Sequence, residues 1–224
     1  GALAGLLTAV LFIKLRIKPL LAGILTMTIM YSINLRINDK ANVSLSGQPR
    51  IYDMITTGNA YVDRIIVLLI IVALIKIALD WYMQTEQGYL LAATGDNEDF
   101  VKNLGQNADR MKAVGLMLSN GLIALSGSLM AQTMKFADIT FGVGVIVIAL
   151  ASIIIGDTFL KSKDGIKGTT RAITGAIIYK IIGTVALRLG LRPQDLKMVN
   201  GAIVILFIAY NNFAAGRAKA KTND

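Results

Sequence analysis

Uninterrupted apolar stretches alternate along this chain with short clusters of charge. The stretches 65–75 and 201–210 carry no charged residue, whereas Lys14, Arg16 and Lys18 crowd together between two apolar runs. A helix crosses a hydrocarbon core of about 30 Å with about 20 mostly apolar residues, and shorter runs serve at helix ends or breaks. By that measure the pattern predicts seven spans, at 1–13, 19–33, 62–80, 112–134, 139–156, 172–190 and 198–213. The expected fold class is therefore all-α, a polytopic transmembrane helical bundle of six to seven spans. The range in that count comes from 139–156, where Gly142, Gly144 and Gly156 permit a broken or re-entrant helix. Irregular backbone at membrane depth survives only where protein or a water-filled cavity covers it.

The basic residues orient the bundle, because Lys and Arg accumulate on the cytoplasmic side of a membrane. With Lys14, Arg16 and Lys18 inside, strict alternation also places inside Lys102, Arg110 and Lys112, then Lys161, Lys163, Lys167 and Arg171, then Arg217, Lys219 and Lys221. Outside fall the fewer Arg36, Lys40, Arg50, Arg64, Lys135, Arg188, Arg192 and Lys197, while Lys76 and Lys180 lie within spans. The carboxy terminus is thus expected in the cytoplasm. Small residues four apart (Ala124 with Ser128, Gly127 with Ala131, Ser152 with Gly156, Ala172 with Ala176) predict close helix packing in the later spans, since small side chains let backbones approach where lipid supplies no hydrophobic drive. Two connections are long enough to hold structure. The outer one, 34–61, contains Gly47, Pro49, Gly58 and an alternating stretch at 42–45, and predicts a small capped loop with room for an amphipathic helix. The inner one is 81–112.

Composition agrees with lipid as the solvent. The chain is 54% hydrophobic and 17% charged, with a mean hydropathy of +0.61, against about 25% charged residues in a soluble domain. The net charge of +9 reads as the basic flanks of membrane spans. A nucleic-acid partner would need a continuous basic face with aromatic or polar readers, and the sequence has none. There is no Cys and no His, which removes disulfides, thiol chemistry, zinc sites and imidazole catalysis from consideration. The chain opens at Gly1 inside an apolar run. We expect one transmembrane domain over 1–224, a piece of a longer protein with further spans upstream rather than a mature start left by a cleaved signal.

No residue pattern supports catalysis or a bound cofactor. A phosphate-cradling loop needs Gly, four residues, then Gly-Lys-Ser/Thr, so that backbone N–H groups wrap the phosphates. The stretch from Gly165 to Thr170 has the wrong spacing, and the one from Gly142 lacks the third Gly of a dinucleotide loop. Any ATP must therefore be bound by another chain. Asp80, Asp138 and Asp157 read as boundary residues that cap helices or face water. A charge inside hydrocarbon is costly and often functional. Lys76 lies near the inner end of its span and can snorkel. Lys180 lies nearer the middle of 172–190 and is a candidate for a translocation path, as is the polar Asn120, for which helix packing is the competing role.

The inner connection is the most informative segment. Gly95 can end one helix, Asp96 or Asn97 can cap the next, and Glu98 and Asp99 then occupy a first turn whose dipole favours acidic groups. Phe100, Val101 and Leu104 give that short helix an apolar side before Gly105 stops it. A short amphipathic helix between two spans reads as a docking element.

Here the sequence resembles the inner-membrane permease family of ABC importers that move branched-chain amino acids, ribose-type sugars and related solutes. The family's loop runs Ala-x-Gly-x-Asn, a short helix, Gly, Asn and a few basic residues, then a span with a Ser-Gly-rich start. The match is carried by Ala93, Gly95, Asn97, Glu98, Gly105, Asn107, Arg110 and Lys112, then by Leu125-Ser-Gly-Ser-Leu-Met-Ala131. Phe141-Gly-Val-Gly144, the segment from Ile148 to Gly156, and Gly175 to Tyr179 are similar to the Gly-rich segments that follow. The usual small pair in the short helix is Asp99-Phe100 here, and the usual Gly-Gly is Gly156-Asp157.

The resemblance implies an all-α permease of the bacterial inner membrane. It implies a dimer with itself or a close paralogue, solute supplied by an extracellular binding protein, and drive from two cytoplasmic ABC ATPase subunits. On it, Gly95, Asp96, Asn97, Glu98, Asp99, Phe100, Leu104 and Gly105 form the coupling helix seated in an ATPase groove. The alternative is a secondary transporter or channel working without an ATPase, for which paired intramembrane acids or an inverted repeat would speak, and neither is visible.

Overall fold

A computed structural model describes residues 1–54, 58–142, 144–160, 165–190 and 201–202. The expected run at 198–213 and the basic cluster Arg217, Lys219 and Lys221 fall almost wholly outside these residues. The chain divides into two compact units, Gly1–Thr140 and Phe141–Asp224.

In the first unit the elements are α1 (Ala2–Ile13), α2 (Pro19–Asn38), β1 (Asn42–Ser44), a 3-10 turn at Ile51–Met54, α3 (Ala60–Tyr82), α4 (Glu86–Asp96), α5 (Glu98–Asn103), α6 (Ala108–Met134) and β2 (Phe136–Asp138). Helix starts are set by local chemistry. Pro19 opens α2 at its first turn, where its missing N–H costs nothing. Asn59, Thr85 and Asn107 each accept a backbone N–H of the helix that follows, replacing partners that first-turn amides lack.

The helices α2 and α6 are long and apolar enough to cross a membrane. At 23 residues α3 is about 34 Å long at 1.5 Å per residue. Large apolar side chains such as Leu69, Leu74 and Ile77 are exposed on it. That is the expected surface of a helix whose solvent is lipid. Within the unit, α1 packs on α6 through glycines: a side chain on Gly5 would strike the Leu116 carbonyl and Met117 Cα. Thr8 and Thr26, both buried, bring their hydroxyls to 2.9 Å and join α1 to α2, the kind of polar contact that ties helices together in lipid.

The outer connection departs from expectation. Among its described residues it forms, in place of an amphipathic helix, β1, which pairs antiparallel with β2 beyond the end of α6, in the register Asn42↔Asp138, Val43↔Ala137, Ser44↔Phe136. Asp138 does not cap a helix. Its Oδ1 accepts from Thr140 N–H at 2.7 Å and Oγ1 at 2.6 Å, and its Oδ2 accepts from Asn42 at 3.4 Å. These bonds, chiefly those from Thr140, hold its carboxyl below the ordinary range. Lys76, expected to snorkel, is paired with Asp80 at 2.7 Å across one helical turn.

The second unit contains α7 (Val145–Leu160) and α8 (Gly168–Arg188). The helix expected from 139 starts at Val145, after a turn that follows β2. The described part of α7 is 16 residues, about 24 Å at 1.5 Å per residue, while α8 is long enough to cross. Their contact is made by Gly156 and Gly175: a side chain on Gly175 would meet Gly156 N at 2.7 Å and strike the Ser152 carbonyl. Of the small pairs expected to pack, Ser152 and Gly156 are buried here, but Ala172 and Ala176 are exposed. Gly175 and Tyr179, on another face of α8, are the residues that turn inward. Ala124, Gly127 and Ser128 on α6 are also exposed from this chain.

Candidate functional site

The inner connection builds a compact elbow of α4, α5 and the start of α6. Thr85 Oγ1 accepts from Gly88 N–H at 3.3 Å and starts α4. Gly88 and Gly115 admit close approach. A side chain on the first would meet Met83 Cα at 2.5 Å, and one on the second would meet Leu91 Cδ1 at 2.9 Å, so α4 lies tightly between the end of α3 and the face of α6.

Asn97 both ends α4 and begins α5. Its N–H donates to the Ala93 carbonyl at 2.8 Å, its backbone is extended, and its Oδ1 accepts from Phe100 N–H at 3.1 Å. This corrects one detail expected from the sequence and selects between the two expected caps. Gly95 lies within the last turn of α4, which runs to Asp96, and Asn97 rather than Asp96 caps α5. The short helix is thus Glu98–Asn103, with Glu98 and Asp99 in its first turn. Gly105 closes it with a φ of +73°, a left-handed conformation that glycine adopts without penalty.

The apolar residues of α5 do not form one buried side. Val101 is 0% exposed, whereas Phe100 is 53% and Leu104 is 55% exposed. Phe100 and Leu104 are four apart and so neighbours on the helix surface. Val101 therefore anchors α5 to the fold, with Ala108 and Met111 also buried where the chain enters α6, and Phe100 and Leu104 form an outward apolar ridge. Gly95, Asp96, Asn97, Asp99 and Gly105 are exposed around it.

Glu98 is not a free surface charge. Its Oε1 lies 2.7 Å from Lys102 Nζ and its Oε2 lies 2.5 Å from Lys112 Nζ. Lys112 also approaches Asp109 at 3.7 Å and the Phe12 ring at 5.2 Å from its centre. Hydrogen bonds from Lys102 and then Lys112 lower the Glu98 carboxyl from 4.5 to about 2. A carboxyl lowered on folding stabilises fully above its unfolded value, and that stabilisation is lost as pH falls through the folded one. The clamp should then hold at neutral pH and weaken between 4.5 and about 2. A spin label at Asn103→Cys is expected to stay immobilised until that window, and to be mobile already at neutral pH in Glu98→Gln. Equal immobility in the two at neutral pH would show that Glu98 does not hold α5.

The Glu98 and Lys102 pairing was visible in the sequence as an i, i+4 spacing. Lys112 was visible only as a basic residue, and Phe12, which meets it, carried no signal. The two residues singled out for a path lie apart from this elbow in sequence. Asn120 is half-buried on α6 and donates to the Leu116 carbonyl of its own helix at 2.9 Å, close to Gly1, which precedes α1. Lys180 is exposed on α8, next to the buried Tyr179.

Apolar helices long enough to cross a membrane, with a short capped helix and its outward apolar ridge between two of the apolar helices, are the architecture of an integral membrane protein. Comparison with known proteins makes this specific. The sequence pattern of the family described as branched-chain amino acid transport system / permease component matches residues 1–209, and the chain belongs to that family. It is 44% identical over 212 residues to the tyrosine transport system permease protein of Clostridioides difficile (strain R20291), an alignment covering 95% of this chain and 70% of that one. It is 27% identical to the ribose import permease protein of Haemophilus influenzae, over 92% of this chain and 63% of the relative. It is 25% identical to the galactose/methyl galactoside import permease protein of Escherichia coli (strain K12), over 98% and 66%. No solved structure matches. The chain is a transmembrane permease subunit of an ABC importer.

Proposed function

We propose that this permease passes an amino-acid-like solute from an extracellular binding protein to the cytoplasm across a bacterial inner membrane, driven by separate ATPase chains that dock on α5. The observation that carries the docking site is the Phe100 and Leu104 ridge, exposed on a helix that Val101 anchors from the other side. The buried Val101 seats that helix, the Glu98–Lys112 pair links it to α6, and Gly95, Asp96, Asn97, Asp99 and Gly105 frame the ridge. The name of the C. difficile relative supports an amino-acid-like rather than sugar-like solute. All of 1–224 is read as one permease domain that works as a dimer, and the ATP is hydrolysed by its partners. Lys180 and Asn120 are the proposed path residues, each a polar side chain within a helix long and apolar enough to cross. The outer cap of β1, β2 and the Ile51–Met54 turn is the proposed landing surface for the binding protein.

Copurification tests the reading. A tagged chain extracted in mild detergent is expected to bring down a chain that hydrolyses ATP. A permease that takes up solute in vesicles while no such chain accompanies it would return the reading to a secondary transporter.

A further inference from the structure

The helix α6 is held at both ends by contacts that reach other elements. At its amino end, Lys112 Nζ lies 2.5 Å from Glu98 Oε2 on α5 and 5.2 Å from the centre of the Phe12 ring on α1. At its carboxyl end, the Tyr52 hydroxyl donates to the Leu129 carbonyl at 3.0 Å and lies 3.0 Å from Thr133 Oγ1. Gln132 Oε1 accepts from Ile51 N–H at 2.9 Å, and the Lys135 carbonyl accepts from Leu45 N–H at 2.8 Å. The helix that carries these anchors is 27 unbroken residues long, about 40 Å at 1.5 Å per residue.

We propose that α6 is the rod through which movement of the coupling helix reaches the outer cap, with Lys112 as the positioning residue at the inner end and Tyr52 at the outer. The proposal rests on the assignment of α5 as coupling helix. Rigid helices and hydrogen-bonded or ionic contacts are the physical means by which coupling crosses such distances. Val101 alone would seat α5 through a smooth apolar contact on which helices can slide. The Glu98–Lys112 pair adds a directional tie, so that α5 cannot shift without drawing the end of α6 with it. At the far end Tyr52 is buried, and its hydroxyl fixes the Ile51–Met54 turn to the last turns of α6. The β1–β2 ladder carries the tie on to the exposed tip at Ser46 and Gly47. The nucleotide state of the ATPases is thereby written onto the outer cap, where a binding protein would meet it.

The test uses the permease complexed with its copurified ATPase in lipid vesicles, with a spin label at Ser46→Cys, which is unique because the chain has no native Cys. ATP with orthovanadate is the probe. Trapping is expected to change the label's mobility in the otherwise unaltered chain. Lys112→Met, which keeps the side-chain stem, and Tyr52→Phe, which keeps the ring, should each retain the ATPase but lose the response, and Lys112→Arg should restore it. A response retained in either variant, or absent from the unsubstituted complex, overturns the proposal. Loss of ATPase capture in Lys112→Met would reduce the pair to a seating contact and overturn it too. Failure of the underlying assignment shows differently, as continued ATPase capture by the double variant Phe100→Asp, Leu104→Asp.

Discussion

Replacing Phe100 and Leu104 together by Asp is expected to abolish ATPase capture and solute uptake while leaving membrane insertion and thermal stability close to those of the original chain. Both side chains are more than half exposed, and substitutions at such positions usually change stability by no more than about 0.5 kcal/mol each. What holds α5 is left untouched: the buried Val101, the Asn97 cap and the Glu98 clamp. At an interface the same residues behave differently. Central apolar anchors commonly cost about 2 kcal/mol or more when truncated, roughly a thirtyfold loss of affinity, and a carboxylate forced into an apolar groove adds its desolvation. Tagged pull-down with thermal unfolding in detergent separates the outcomes. A variant that still retains its ATPase and transports would remove α5 from the docking site.

The largest effect on assembly is expected at Gly175. Its side chain would point at the backbone of Ser152 and Gly156, with Gly156 Cα 2.9 Å away, so no flexible side chain can move aside. Overpacking usually costs about 1–3 kcal/mol. Gly175→Ala should fall in that range and Gly175→Leu should exceed it by forcing α7 and α8 apart. Separation would also break the Asp157–Arg171 pair that now spans the two helices at 3.2 Å. In lipid no hydrophobic drive compensates for a lost close contact between helices. Gly183→Ala is the control, since nothing lies within 4 Å of a side chain there. Thermal unfolding in detergent and Cys crosslinking between α7 and α8 report the result. Equal stability of Gly175→Leu and the control would mean that this contact does not hold the pair together.

Glu98 and Phe100 differ in how far their surroundings follow from the neighbouring residues. Asn97, Glu98 and Gly105 announced a short capped helix, because capping and termination are decided by a few adjacent residues. Which of Phe100, Val101 and Leu104 turned inward was not legible, since a six-residue helix has too few turns for periodicity to mark a face. Glu98 read only as an acid in the first turn of that helix. The structure commits it to Lys102 and Lys112, and the apolar ridge beside it becomes the better docking candidate.

The apolar runs by themselves determined that this is a helical membrane protein, because hydrocarbon forbids unpaired backbone groups and a helix satisfies them within one segment. The local residues likewise determined the helix ends that Pro19, Asn59, Thr85, Asn97, Asn107 and Gly105 mark. Only the tertiary structure decided what those helices touch. The β1–β2 pairing joins Asn42 to Asp138, the packing of α7 on α8 rests on Gly175 rather than on Ala172 and Ala176, and Lys112 meets both Phe12 and Glu98. Each contact is made by residues far apart in the chain, and a run that is apolar on every side gives no clue which face meets protein and which meets lipid. That choice is set by backbone approach and by which polar groups find partners, quantities that exist only once the helices are side by side.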